Sequence, residues 1–316
     1  SIIFLISTFF SGFLFFIIQF LLTKNISQSD YGLFISIYLL IITFYPIISF
    51  GLFDYGIDIY EKENFLSYLW FKKAFKIILY LSLIFLILSF TYSYLFISNI
   101  KTFYLVIILS FSILGQMMFE LTTIRFKLYN DYLHYSLWNL IPNLIRLTLL
   151  YFYFLIFPKY EIYEIALIYS FSALIITLLG MYILRKFYIN LYKLYSDYIK
   201  NNTFNTSNNI INIKDVFYKG IPYSIIPFLF LIYYQSDVYI IKFYLGNDAA
   251  AIYNIAFIFL AVSFLIPNSI QKIIIQRIHN LFYNDLNEYL KLKIYNTLFM
   301  LLLGLIIMLI IFILGY

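Results

Sequence analysis

One arginine sits inside a long apolar run, and no other residue is better placed to do chemistry. Arg146 lies within Leu137–Phe157, about nine residues and roughly 13 Å from the nearer end of that run if it is helical. At mid-membrane a charge costs on the order of 2.5 to 3.5 kcal/mol on insertion scales. Something must therefore compensate it. A guanidinium offers several donors to a phosphate, so one reading places Arg146 in a wet cavity that captures a phosphate-bearing anion. The other makes it a structural pair with a carboxylate or with helix carbonyls. Asn143 and Gln116 could line the same cavity, or could bridge neighbouring helices. Lys24 stands at a run boundary, where it could receive the phosphate after reorientation. Asp237, with Gln235 and Ser236 beside it, could take up a coupling proton or cation, pair with Arg146, or sit as an interfacial carboxylate. Pro227 could kink its helix into a gate. Glu120 and Arg125 read as surface residues.

The elements that must position these groups are nine apolar runs: Ile2–Leu22, Leu33–Phe53, Ile77–Ile97, Phe103–Leu121, Leu137–Phe157, Ile165–Leu184, Gly220–Leu245, Ala249–Pro267 and Ile294–Gly315. A hydrocarbon core needs about 20 helical residues to cross it, and the runs are continuous where barrel strands would alternate. The chain is 64% hydrophobic and 11% charged, with a mean hydropathy of +0.91. A soluble domain carries about 25% charged residues. The expected class is therefore all-α and polytopic in a membrane, with a six-helix bundle over residues 1–184, a linker over 185–219 and a partial three-helix bundle over 220–316.

The basic residues are sorted by side. Sixteen of the 21 lie in the even-numbered gaps, from Lys62, Lys72, Lys73 and Lys76 to Lys272, Arg277, Lys291 and Lys293; the odd gaps hold one each, Lys24, Lys101, Lys159 and Lys242. Cytoplasmic loops retain Lys and Arg, which predicts a cytoplasmic N-terminus. The net charge of +6 is accounted for by those loops and points to no nucleic acid. With no cysteine and two histidines, no cofactor and no metal is expected. The abundant Tyr and Phe could stack on sugar, or could be compositional bias plus interfacial belts. Asn64–Phe75 and Asn268–Leu286 read as amphipathic, either at the bilayer surface or continuing a span. A faint repeat relates runs one to three with runs seven to nine, and Asp30 with Asp248. Two parallel copies of one unit are a transporter plan. The chain opens on Ser1, already apolar, and so reads as trimmed at its start; on the repeat plan it is three helices short at its end.

Several short motifs carry a family resemblance. The stretch Thr23-Lys24-Asn25-Ile26-Ser27-Gln28-Ser29-Asp30-Tyr31-Gly32-Leu33-Phe34 resembles the end of the first helix in the bacterial O-antigen and polysaccharide flippases of the multidrug/oligosaccharidyl-lipid/polysaccharide exporter superfamily. Ser49-Phe50-Gly51-Leu52-Phe53-Asp54-Tyr55-Gly56 is similar to the Phe-Gly-Leu turn of that family. Ile221-Pro222-Tyr223-Ser224 through Gln235-Ser236-Asp237 to Leu245-Gly246 resembles its seventh helix, and Ala251-Ile252-Tyr253-Asn254-Ile255-Ala256 the start of its eighth.

The resemblance implies a non-enzymatic transporter of the inner membrane, working by alternating access. Its substrate would be an undecaprenyl-pyrophosphate-linked oligosaccharide, moved to the outer leaflet for surface polysaccharide. Membrane lipids, a proton or sodium ion and polysaccharide assembly proteins would be its partners. The alternatives are a multidrug or cation antiporter of the related extrusion family, which would want an acidic cavity, and an integral-membrane polysaccharide polymerase, which would want a large outer loop.

Overall fold

The computed structural model describes residues 2–51, 67–129, 131–157, 160–201, 213–284 and 286–314. Among them every regular element is a helix: α1 (Ile2–Asn25), α2 (Gln28–Thr43), α3 (Tyr45–Ser49), α4 (Ser67–Phe96), α5 (Ile100–Ser110), α6 (Ser112–Leu128), α7 (Tyr132–Ile156), α8 (Ile162–Asn201), α9 (Ile213–Asn284) and α10 (Leu286–Leu314). Among the described residues eight stretches are long and apolar enough to cross a membrane, and one of them, Gly220–Ile258, takes in the expected seventh run and the start of the eighth. In hydrocarbon each backbone N–H and C=O must be satisfied within its own segment, which a helix does.

Local signals set where the helices begin and break. Ser27 caps α2 by accepting from the backbone N–H of Asp30 at 3.2 Å, and the Asp30 carboxylate in that first turn suits the positive helix end. Asn99 caps α5 and Asp131 caps α7 in the same way. Pro46 opens α3, so the second span is two helices joined at Phe44. Within α9, Gly246 adopts φ 87 and ψ −177. An L side chain is strained there, so the helix breaks at this residue and the seventh and eighth spans meet.

The end of the fold carrying the α1–α2, α4–α5 and α7–α8 turns and Gly246 is called here the upper end. Lys101 forms an ion pair with Asp30 there, and the Tyr153 hydroxyl donates to Glu164. The helices α1 and α7 pack together, as do α6 and α8, while α5 contacts α2, α4 and α8; α9 lies along α1, α2 and α3, with α10 beside it. One core cluster joins Ile18, Leu22, Phe34, Ile41, Leu105, Leu109, Leu150, Ile165 and Ala251. A second, at the lower end, joins Trp70, Phe71, Leu121, Leu184, Phe187 and Leu191. Outward-facing Ile87, Leu155, Leu178 and Phe243 are all exposed, as expected where helices face hydrocarbon.

Of the expected linker, Arg185–Asn201 continues α8 and Ile213–Lys219 opens α9; residues 202–212 lie outside the described residues. Of the first amphipathic stretch, residues 64–66 and the Ser67 side chain also lie outside. The rest belongs to α4, with Trp70 and Phe71 buried against α8, so it continues a span. Of the second stretch, Asn268–Asn284 closes α9 and Leu286 opens α10; residue 285 lies outside the described residues.

Candidate functional site

The site grows from one face of α7. Asn139, Asn143, Arg146 and Leu150 recur at helical spacing, and this face meets α1, α2 and α8. Its lower part is fastened to α1. The Ser11 hydroxyl donates to the Asn139 carbonyl at 2.9 Å, and the Asn143 amide donates to the Ser11 carbonyl at 2.9 Å and to its hydroxyl at 3.1 Å. Asn143 is therefore a bridge between helices.

Three positions further on, the Arg146 guanidinium lies against a pair of touching tyrosine rings. Its carbon is 5.7 Å from the ring centroid of Tyr38 on α2 and 5.1 Å from that of Tyr169 on α8. Tyr38 and Tyr169 meet edge to face, with centroids 5.1 Å apart, and Phe34 braces Tyr169. Rings placed in this way attract a cation by about 0.5 to 2 kcal/mol, most where water is excluded. They supply no hydrogen-bond acceptor in the plane of the guanidinium. Arg146 Nε is sealed and has no hydrogen-bond partner. The two ion pairs among the described residues, Lys101–Asp30 and His134–Asp131, do not involve it. Arg146 as a whole is half-buried, which leaves its outer nitrogens reachable. A half-buried cation with an aromatic wall and no carboxylate is left without a counter-charge on its open side, and a charge partly out of water is costly unless paired. An anion would complete it.

A polar chain leads from this cation toward the upper end. Gln19 on α1 is only 2% exposed, with its side chain against the Tyr169 hydroxyl. Gln19 Oε1 accepts from the Tyr31 hydroxyl at 2.9 Å. The Tyr31 oxygen in turn accepts from the Asn254 amide of α9 at 2.8 Å. Around this link α2 and α9 are in close contact. A Cβ placed on Gly32 would lie 1.9 Å from the Asn247 carbonyl oxygen, so only glycine permits the approach. The Gln28 amide donates to the Asp248 carbonyl at 3.0 Å.

The other expected site residues are dispersed. Gln116 donates to Glu120, its neighbour one turn on, at 3.3 Å. Lys24 is exposed in the last turn of α1. Asp237 is exposed and accepts from the Tyr253 hydroxyl at 2.7 Å. Gln235 is buried and accepts from Thr43 and from Tyr239, tying α9 to α2. Pro227 lies inside α9. Arg125 donates to the Ile183 carbonyl at 2.8 Å. The structure thus joins Arg146 not to Gln116, Lys24 or Asp237 but to Tyr38 and Tyr169, with Gln19, Tyr31 and Asn254 beyond. A lone amide in an otherwise apolar first run was the signal for Gln19. The tyrosines gave none, being lost among 34.

A groove of about 570 Å³ lies elsewhere, between α5 and α8, lined by Ile107, Phe111, Leu167, Phe171 and Leu174 among others. Those side chains face outward, and the hydroxyl of Ser170 is spent on the Ile108 carbonyl. It is an apolar groove and not the polar site.

An all-α, multi-pass membrane protein with a cation held inside its helices is the class these features define. The family model described as "Polysaccharide biosynthesis protein" matches residues 1–273, and the chain belongs to that family. This is the family of polysaccharide and O-antigen flippases, in general transporter-like and not catalytic. No curated protein and no solved structure matches the chain.

Proposed function

We propose that the protein carries a lipid-linked oligosaccharide across the bacterial inner membrane, from the cytoplasmic to the outer leaflet, by alternating access and without making or breaking a bond. The observation that carries this is the unmatched guanidinium of Arg146 against the Tyr38–Tyr169 pair. A pyrophosphate headgroup has the charge and the acceptor oxygens that Arg146 lacks, and Arg can engage it with more than one N–H. Family membership supports a surface-polysaccharide substrate. The crowding of Lys and Arg at the lower end supports a cytoplasmic lower face and N-terminus. The upper end is then outer, and α1–α8 and α9–α10 are the two bodies that rock.

The test is translocation of a fluorescent undecaprenyl-pyrophosphate-linked sugar in vesicles containing purified protein. Arg146→Ala should lose most of the rate, and Arg146→Lys should recover only part, since lysine keeps the charge but not the fork. Full activity in both removes Arg146 from the mechanism. Efflux of a cationic dye instead would place the protein with the extrusion antiporters.

A further inference from the structure

We infer that the outer seam between α4 and α8 binds an anionic phospholipid of the lower leaflet, with its phosphate at Lys72, Lys76 and Arg185. Aromatic contacts fix the register of the seam. Tyr68 of α4 meets Tyr192 and Tyr195 of α8 with centroids 5.4 and 5.6 Å apart. Two turns higher, Phe75 meets Tyr188 at 6.2 Å. The helices run antiparallel, so this pairing sets Arg185 between the levels of Lys72 and Lys76. Lys72 leans over the Tyr68 ring, 5.9 Å from its centroid, which keeps it at the seam. Lys72 and Lys76 continue the face of α4 that carries Leu79 and Leu83, and Arg185 shares its face of α8 with Leu178, Leu174 and Leu167 at helical spacing. All of these side chains are exposed.

The three cations lack a counter-charge. Lys72 and Lys76 repel each other one turn apart, and neither they nor Arg185 enter an ion pair among the described residues. The described part of α4 carries no carboxylate, and on α8 the nearest, Asp197, lies about 18 Å below Arg185. The apolar faces decide which anion fits. A soluble phosphate leaves Leu79, Leu83 and Leu178 bare, whereas a lipid covers them with its chains and keeps its phosphate level with the cations. Lysine and arginine stems lie along apolar surface and hold their charge at that level. From Arg185 the same face of α8 rises about 16 Å to Leu174, the depth of one leaflet in a hydrocarbon core about 30 Å thick. Leu174 is the lower rim of the apolar groove between α5 and α8. A chain anchored by its phosphate at Arg185 therefore ends in that groove. This site is separate from Arg146 and does not rest on the role proposed for it.

The chain has no cysteine, so a single one replacing the exposed Leu178 can carry a fluorophore on the path of the lipid chain. Its quenching is measured in phosphatidylcholine nanodiscs doped with chain-brominated phosphatidylglycerol or, for comparison, chain-brominated phosphatidylcholine. The anionic lipid should quench at a mole fraction about five-fold lower, the worth of one cation beside an anionic headgroup, and high salt should shrink that preference. Lys72→Gln, Lys76→Gln and Arg185→Gln together should reduce it to about two-fold or less. Lys127→Gln, Lys186→Gln and Lys193→Gln together remove the same charge from the same end and should leave it intact: Lys127 is on α6, and Lys186 and Lys193 lie about a quarter turn from Arg185 on α8. Equal quenching by the two lipids in the labelled protein, or an equal loss in both triple variants, overturns the site. So does a preference that high salt leaves unchanged, a measurement that needs no change to the cations.

Discussion

Gly32 of α2 faces the backbone of Asn247 so closely that a single added carbon would lie 1.9 Å from its carbonyl oxygen and 2.7 Å from its carbonyl carbon. Backbone cannot turn aside as a side chain can. Gly32→Ala should therefore either strain the closed contact, by about 1 to 3 kcal/mol as overpacking does, or hold α2 and α9 apart. The measurement is reactivity of a cysteine replacing the buried Ala251, which lies directly beneath Gly32. Ala251→Cys should react slowly with a maleimide on its own and several-fold faster when combined with Gly32→Ala, and the double variant should melt earlier. Equal reactivity would show that the contact is not made.

The clamp on Arg146 separates ring from hydroxyl. Tyr169→Phe retains the aromatic face and should transport at close to the normal rate. Tyr169→Leu removes it, forfeits about 0.5 to 2 kcal/mol of cation–π attraction and lets the guanidinium wander. Its translocation rate should fall several-fold below that of Tyr169→Phe. The two rates being equal would mean that the ring does not position the cation.

The Lys101–Asp30 pair at the upper end is a weaker tie. Its side chains are 39% and 30% exposed, and exposed ion pairs contribute about 0 to 1 kcal/mol. In a double-mutant cycle with Lys101→Ala and Asp30→Asn, the coupling in thermal unfolding should fall in that range and shrink between low and high salt. Asp30→Asn should cost somewhat more than Lys101→Ala, because it also removes a charge from the first turn of α2.

Asp131, just before α7, gives the fold an acid limit. Burial alone would raise its carboxyl, but hydrogen bonds from the His134 ring and backbone N–H, helped by the His134 and Arg125 charges, outweigh it and hold it below the ordinary carboxylate range. A depressed carboxyl stabilises the folded state above its unfolded value, near 3.9, and that contribution is lost as pH falls through the folded value. Thermal stability of the unaltered protein should therefore drop below about pH 4 more steeply than that of Asp131→Asn. Parallel profiles would dismiss the contribution.

The spans were legible because lipid selects on composition over a fixed thickness: Ile2–Leu22 falls within α1, and Leu137–Phe157 within α7 but for its last residue. Helix ends were not, because hydropathy reports where hydrocarbon stops and not where a helix does. The sixth run was expected to close at Leu184, yet α8 continues to Asn201, since Phe187 and Leu191 bury against Trp70 and Phe71. Arg146 stood out for its charge. Its aromatic walls did not, because Tyr38 and Tyr169 are brought to it from helices more than 20 positions away in either direction, and no spacing along one chain records that. Asn143 could have faced a cavity or a helix until Ser11 was seen opposite.

Both tryptophans of the chain, Trp70 and Trp138, are sealed at 1% exposure. They lie in α4 and α7, and Trp138 donates to the Phe119 carbonyl of α6 at 3.1 Å. The helices α9 and α10 contain none. The protein thus has a built-in optical probe confined to one part of its structure: emission should be blue and resistant to iodide, insensitive to rigid travel of α9, and altered only when α7 slides against α6 or α4 leaves α8.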